Sequence, residues 1–388
     1  MPVTVVSGAR QTGKSTLVRD LAASGERLYV TLDDLDIRDQ AARAPDELLR
    51  RADRMTLDEV QRSPDLLLGI KRAVDERREA GRFVLTGSAN LLLMQQVSES
   101  LAGRAAYLTL WPLTRREQLG TGKAGIWSSL LENAPATWLD LVSNKPATPE
   151  PWPALAKRGG YPTPAHELTE SDDRQVWFDG YIRTYLERDL QSLAAVEHLA
   201  DFRRLMRAAC LRIGNLLNQA ELARDVALAP STAQRYLNLL ETSYQLLRLP
   251  AYAVNRTKRL TKSAKIYWSD TGLAMRLAGE TGPRGAHLEN LVLTDLFAWR
   301  DSQTPPIEIL YWRTTKGAEV DFVVETPDRL LPMEVKAARK LEYRDSQHLR
   351  TFLSEYADIA PAALILYDGT ETYWLADRIL AVPWWRVI

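Results

Sequence analysis

The chain has 388 residues, 45% hydrophobic and 26% charged, which is enough to bury more than one core, and two or three domains are expected. Fifty Lys and Arg balance fifty Asp and Glu, so no global charge draws the chain to nucleic acid, and any such contact must come from a local patch. The single cysteine, Cys210, excludes an intramolecular disulfide, and no Cys/His grouping has zinc-site spacing.

The first element is an apolar run over residues 3–6 that predicts a strand. No signal-peptide pattern precedes it, and no run of about 18 apolar residues occurs to span a bilayer, so a cytoplasmic protein without membrane contact is expected. Directly behind the strand comes Gly8-Ala9-Arg10-Gln11-Thr12-Gly13-Lys14-Ser15-Thr16, which fits G-x-x-x-x-G-K-[ST]. The glycines let the backbone turn so that N–H groups point at phosphate oxygens. Lys14 places a positive charge on the β/γ-phosphates, and Ser15 offers its hydroxyl to Mg²⁺. A helix is expected from near Lys14 through Leu21, with its positive end toward the same anion. The run from Gly8 to Thr16 is therefore the candidate site for ATP or GTP.

Residues 27–32 read as a second strand ending at Asp33-Asp34, and residues 54–59 as a short buried strand ending in Asp58-Glu59. A nucleotidase needs one acid to hold the Mg²⁺ shell and another to polarise the attacking water. Asp58 suits the first role and Glu59 the second. A further strand over 82–86 runs into Gly87-Ser88-Ala89-Asn90, where Thr86, Ser88 and Asn90 are candidates to sense the γ-phosphate. Arg104 precedes a strand over 105–110 and is a candidate to reach a neighbouring copy's nucleotide in a homo-oligomer.

Several segments together resemble a family of prokaryotic AAA-type ATPases in which a domain of uncharacterised function follows the ATPase. They are Gly8 to Thr16, Leu57-Asp58-Glu59-Val60-Gln61, Leu85-Thr86-Gly87-Ser88, Leu101-Ala102-Gly103-Arg104 and Trp111-Pro112-Leu113-Thr114. Gly159-Gly160-Tyr161-Pro162, Tyr185 to Asp189, Tyr267 to Leu273 and Glu334-Val335-Lys336 also fit it. The resemblance covers nearly the whole chain. It implies a P-loop NTPase fold of AAA type over residues 1–118, with ATP and Mg²⁺ as cofactors. Family members usually carry a helix and loop ahead of the P-loop strand that help hold the base; this sequence opens at the strand.

The proline-dense stretch 144–153 reads as a linker or extended loop, and residues 172–249 mostly keep helical spacing. Residues 119–205 are taken as a linker and helical region, and 206–270 as a winged-helix-like region. Within the latter, residues 218–237 resemble a helix-turn-helix, with a turn through 227–229 and Ser231 or its neighbour capping the second helix. Two short basic strands around Arg256 to Lys262 would complete the wing. A DNA-binding use places Ser231, Gln234 and Arg235 near a groove; the other use is packing or protein contact.

From residue 271 to the end the pattern is mixed. An amphipathic helix from Gly285 carries Glu289, three strands are expected over 307–313, 319–325 and 330–337, a helix over 343–356 follows, and then a strand over 362–367. This order resembles the core of the PD-(D/E)XK nuclease superfamily. Period-2 spacing puts Glu334 and Lys336 on one sheet face, and a hairpin would bring Asp321 beside them. Asp321 and Glu334 could bind a divalent cation, with Glu289 completing its shell, Lys336 positioning water and Gln347 assisting. The expected protein is thus α/β throughout, with the helical region between its ends. An ATPase regulates DNA engagement or metal-dependent cleavage; the alternative is a nucleotide-dependent switch whose inactive terminal domain binds a protein partner.

Overall fold

Short runs rich in Val, Leu and Thr suit strands buried on both faces of a parallel sheet. The chain is described here from a computed structural model covering residues 1–388 apart from 24, 26, 88–100, 122–124, 145, 146, 190–197 and 306; the side chains of 187–189 also lie outside the description. The five expected amino-terminal strands are present as β1 (Val3–Ser7), β2 (Leu28–Thr31), β3 (Met55–Asp58), β4 (Phe83–Thr86) and β5 (Ala105–Thr109). They form one sheet in the order β2-β3-β4-β1-β5. Every neighbouring pair in it is parallel. The helix Lys14–Ala23 follows β1, and the helix Leu66–Glu76 turns Leu66, Leu67, Ile70 and Val74 inward between β3 and β4. Those residues pack with Val3, Val5, Leu57, Phe83 and Leu85 in a core of their own. Because the strands run the same way, the ends of β1, β3 and β4 share one edge, where ligands of such sheets are bound.

The middle of the chain is mainly helical. The helix Ser171–Tyr181 passes directly into a π-helical stretch, Ile182–Asp189. The helices Leu199–Cys210, Gln219–Asp225 and Pro230–Thr242 follow, and then the antiparallel pair β6 (Leu246–Leu249) and β7 (Lys265–Trp268). The side chain of Asn218 caps Gln219–Asp225 by accepting from the Glu221 N–H, and Ala227 takes a left-handed φ of 54° in the turn. Three expectations need correction. Ser231 does not cap the next helix: Ala229 is its N-cap and Pro230 its first residue, the position whose N–H needs no partner. Residues 256–261 are not a strand but the helix Arg256–Thr261, started by the Asn255 side chain, which accepts from the N–H groups of Thr257 and Lys258. The proline-dense stretch is fastened rather than free: Glu150 meets Arg115 at 3.0 Å and Arg158 at 2.9 Å, and a helix begins at Trp152.

The last third places the helix Gly285–Arg300 before β8 (Glu308–Arg313), β9 (Glu319–Glu325) and β10 (Leu330–Lys336). The helix Gln347–Glu355 precedes β11 (Ala363–Tyr367), and two further strands, β12 (Tyr373–Ala376) and β13 (Ile379–Pro383), were not expected. The sheet order is β12-β13-β11-β10-β9-β8. Alternation divides its residues between two faces. Phe322, Val324, Met333 and Leu364 share one apolar core with the middle helices, while Val323, Leu330 and Ile365 pack against Leu349 and Phe352. That first core extends from Ile126 to Ile388, so the helical region and one face of the terminal sheet are buried together. Cys210 lies within it, fully buried, and burial pushes its thiol well above the ordinary range. Among the described residues no helix is long and apolar enough to cross a membrane.

Candidate nucleotide site and a terminal acid cluster

The loop after β1 takes conformations that its sequence permits. Gly8 has φ 144° and Gly13 φ 91°, and a Cβ on Gly8 would collide with the carbonyl oxygen of Leu110. Lys14 is buried, and its Nζ donates to the carbonyls of Ala9 at 2.6 Å and Gly8 at 3.2 Å. Burial lowers its pKa to about 8, against the opposing pull of Glu59 and Asp58. Thr12 donates to the Ala9 carbonyl at 3.0 Å, which ties the loop to itself. Thr16 lies in the first turn of the helix Lys14–Ala23.

Asp58 ends β3, buried, and three hydroxyls answer it. Ser15 donates to Oδ1 at 3.2 Å, Thr86 donates to the same oxygen, and Tyr29 donates to Oδ2 at 2.7 Å. Glu59 follows with a left-handed φ of 58°, its N–H donating to Thr86 at 3.2 Å and its carboxylate accepting from Gln61. Burial and the neighbouring Asp58 raise its pKa. A glycine turn, an ammonium, a hydroxyl and a buried carboxylate at one sheet edge suit a nucleotide phosphate with Mg²⁺, which Ser15 and Asp58 could hold.

The rest of the molecule touches this loop. Tyr181 donates to the Arg10 carbonyl at 3.2 Å, Tyr244 donates to Ser7 Oγ at 2.9 Å, and a Cβ on Gly13 would stand 3.7 Å from Pro162. Arg10 also lies over the Tyr185 ring. Tyr181 belongs to a buried cluster with Tyr161, Trp177 and Gln245. The contacts to the loop itself join segments more than 100 residues apart, which no single local motif encodes. Gln11, with φ 63°, sits at the exposed crest of the loop.

Arg104 lies elsewhere. It precedes β5, its carbonyl accepts from the N–H of Val3 at 3.1 Å, and it therefore occupies the sheet edge opposite the loop. Its guanidinium holds Asp75 at 2.7 and 2.9 Å. Ser88 and Asn90 fall outside the described residues.

In the last third, Asp321, Glu334 and Lys336 do come together. Met333 pairs with Phe322, so Asp321 and Glu334 lie on adjoining strands. Asp321 Oδ2 accepts from the Val335 N–H at 2.9 Å, and Lys336 meets Glu334 Oε2 at 2.6 Å. Glu334 is buried, and its Oε1 has no hydrogen-bond partner among the described residues; His348 Nδ1 stands 3.9 Å away. Burial raises the pKa of Glu334 to about 7, with Lys336 opposing and Asp321 adding to the rise. Gln347 is exposed at the start of its helix, and the neighbouring His348 is the residue of that helix with a contact to Glu334.

The expected three-acid chelate of Glu289, Asp321 and Glu334 is not assembled. Among the described residues no group of three or more His, Cys, Asp or Glu is arranged to hold a metal ion. Lys265 lies among these acids instead. Its Nζ meets Glu289 Oε1 at 3.2 Å, Glu319 Oε1 at 2.6 Å and Asp321 Oδ1 at 3.4 Å. Tyr267 donates to Glu289 as well. Burial works against the ammonium, but the three carboxylates outweigh it and hold the lysine above its ordinary range. Burial and Asp321 raise Glu289, while Lys265 opposes the rise.

Comparison with known proteins agrees with the amino-terminal geometry. Residues 1–119 match the AAA domain family, residues 150–284 a domain of unknown function (DUF8612), and residues 284–387 another (DUF4143). An uncharacterized protein of Mycobacterium tuberculosis and one of Mycobacterium bovis are each 34% identical over 394 residues, covering 98% of this chain and 80% of theirs. An uncharacterized protein of Haemophilus influenzae is 21% identical, covering 97% of this chain and 94% of its own. Among solved structures, a Walker-type ATPase of Pyrococcus abyssi aligns at 15% identity and a TM-score of 0.42, covering 71% of this chain and 91% of that one.

Proposed function

This chain, an AAA domain followed by two domains of unknown function, belongs to one family with the two mycobacterial proteins, and from that premise we propose that it binds ATP with Mg²⁺ and hydrolyses it. The observation that carries the reading is the Ser15 hydroxyl resting on the buried Asp58 at 3.2 Å, beside a lysine enclosed by its own loop. On ATP binding, Lys14 exchanges the carbonyls of Gly8 and Ala9 for phosphate oxygens. The Gly8–Thr16 amides would take the rest of the anion, and Ser15 and Asp58 would hold a magnesium ion, which when bound would supply charge neutralisation at the phosphates. Glu59, its carboxylate made more basic by burial and by Asp58, orients the attacking water and takes its proton. Tyr181 on the Arg10 carbonyl and Tyr244 on the Ser7 hydroxyl flank the loop, so its rearrangement would be felt by the helical region. In this reading residues 1–118 are the motor, 119–205 and 206–270 transmit, and 271–388 respond. Phosphate release by purified protein tests it: Lys14→Ala is expected to lose turnover, and unchanged turnover defeats the proposal.

A second reading, metal-dependent cleavage of DNA by the terminal part, has the unpartnered Glu334 Oε1 beside Lys336 and Asp321 in its favour. Ser231, Gln234 and Arg235 are exposed on their helix, as a groove contact requires. Plasmid incubated with Mg²⁺ or Mn²⁺ tests this. Cleavage that is absent, or indifferent to Glu334→Ala, removes it and leaves a nucleotide-dependent switch that binds a protein partner. A homo-oligomer using Arg104 in a neighbouring copy's site requires that arginine to leave Asp75 first.

A further inference from the structure

Lys265 opens β7, a strand of the two-stranded sheet that precedes the terminal domain, yet its side chain ends inside that domain's acid cluster. The lysine is 2% exposed. Glu289 reaches it from the helix Gly285–Arg300, while Glu319 and Asp321, two residues apart, reach it from one face of β9. Three carboxylates gathered in a largely buried place need a cation among them, because desolvated like charges are otherwise expelled or neutralised. Either an ammonium or a divalent ion meets that need. The separations of 2.6 to 3.4 Å are those of N–H···O pairs, and hard cations sit closer, at about 2.0–2.6 Å. The other Asp321 oxygen is already taken by the Val335 N–H. The ring of Tyr311, 5.9 Å from Nζ, adds a further attraction for the charge.

We propose that Lys265 is the resident cation of this cluster, so that the terminal domain takes a divalent ion at Asp321 only when β7 withdraws its side chain. The arrangement is a latch: the cation that closes the acid site belongs to the region adjoining the helices that touch the nucleotide loop. The second reading above supplies a use for the metal, but the proposal concerns only its binding, and its readout is independent of both ATP turnover and DNA cleavage.

Mn²⁺ titration of the full chain without nucleotide, followed by calorimetry and by thermal melting, tests the proposal. With Lys265 in place, Asp321→Asn is expected to leave Mn²⁺ binding unchanged, since the cluster takes none. Lys265→Ala and Lys265→Met are expected to gain a site at least about tenfold tighter than any in the parent. That gain disappears when Asp321→Asn is added. Each Lys265 variant melts lower than the parent in metal-free buffer, and Mn²⁺ restores part of the loss. If neither variant folds without metal, refolding with Mn²⁺ becomes the readout, and recovery supports the latch. The idea is overturned if Asp321→Asn weakens Mn²⁺ binding in the chain that keeps Lys265, if the Lys265 variants gain no site, or if Mn²⁺ fails to rescue variants that do not fold.

Discussion

Two lysines, one in the nucleotide loop and one in the acid cluster, are buried to a similar degree and held in opposite ways. Lys14 is surrounded by carbonyls of its own loop, and burial has lowered its pKa to about 8. Lys265 is surrounded by three carboxylates and is held above its ordinary range. Neutral acceptors compensate a buried charge only in part, so a phosphate arriving at Lys14 finds an ammonium with interaction energy still to gain. Carboxylates compensate it fully, and an anion arriving at Lys265 would find none. A cation's partners, more than its burial, separate a binding group from a structural one.

The contrast breaks most readily at Lys265. Replacing it with Ala leaves buried carboxylates without a counter-charge, and urea unfolding is expected to show a loss of about 3–5 kcal/mol; a change under 1 kcal/mol would mean that the acids are neutral in the fold. At the nucleotide loop, Glu59→Gln is expected to lower phosphate release by about 100-fold while a fluorescent ATP analogue still binds, as loss of a general base does. Equal loss of binding and turnover would instead assign Glu59 to holding the nucleotide. The third expectation concerns pH. The Lys14 ammonium is present below about 8 and lost above it, so ATP affinity should stay level up to that point and then fall about tenfold per pH unit. The unfolded chain keeps this proton to higher pH, so the same group makes the fold more stable, not less, as pH rises past 8. A flat affinity profile to pH 10 would show that Lys14 is not the phosphate's partner. Tyr181→Phe removes one neutral hydrogen bond to the Arg10 carbonyl, worth about 1 kcal/mol, and should alter ATP affinity no more than about fivefold. Arg104→Ala is expected to leave ATP binding by the isolated chain unchanged, because Arg104 lies at the far edge of the sheet beside Asp75.

The nucleotide loop could be read directly because nine consecutive residues set their own geometry: glycines at the turns, a lysine at the helix start. Asp58 could be read as a strand end, but not its partners. Tyr29 and Thr86 reach it through the register of β2 and β4 against β3, and a parallel register leaves no trace in either segment alone. Lys265 is hidden for a related reason: it begins an apolar strand, and only the folded chain carries its side chain to Glu289, Glu319 and Asp321. The closing hairpin carries a local signal of its own. Residues 373–376 and 379–383 flank Asp377-Arg378, and Arg378 takes the left-handed φ of 58° that a tight turn demands. Asp321, Glu334 and Lys336 were placed by period-2 spacing and strand order, which survive the longer sheet.

The lone sulfhydryl makes the chain its own stopwatch. Cys210 ends the helix Leu199–Cys210 with no exposed surface and little thiolate character, so an alkylating reagent reaches it only when that helix opens. The rate of modification therefore records how often the interior breathes. Adding ATP would show whether occupancy of the distant loop slows that breathing, with no dye and no engineered position.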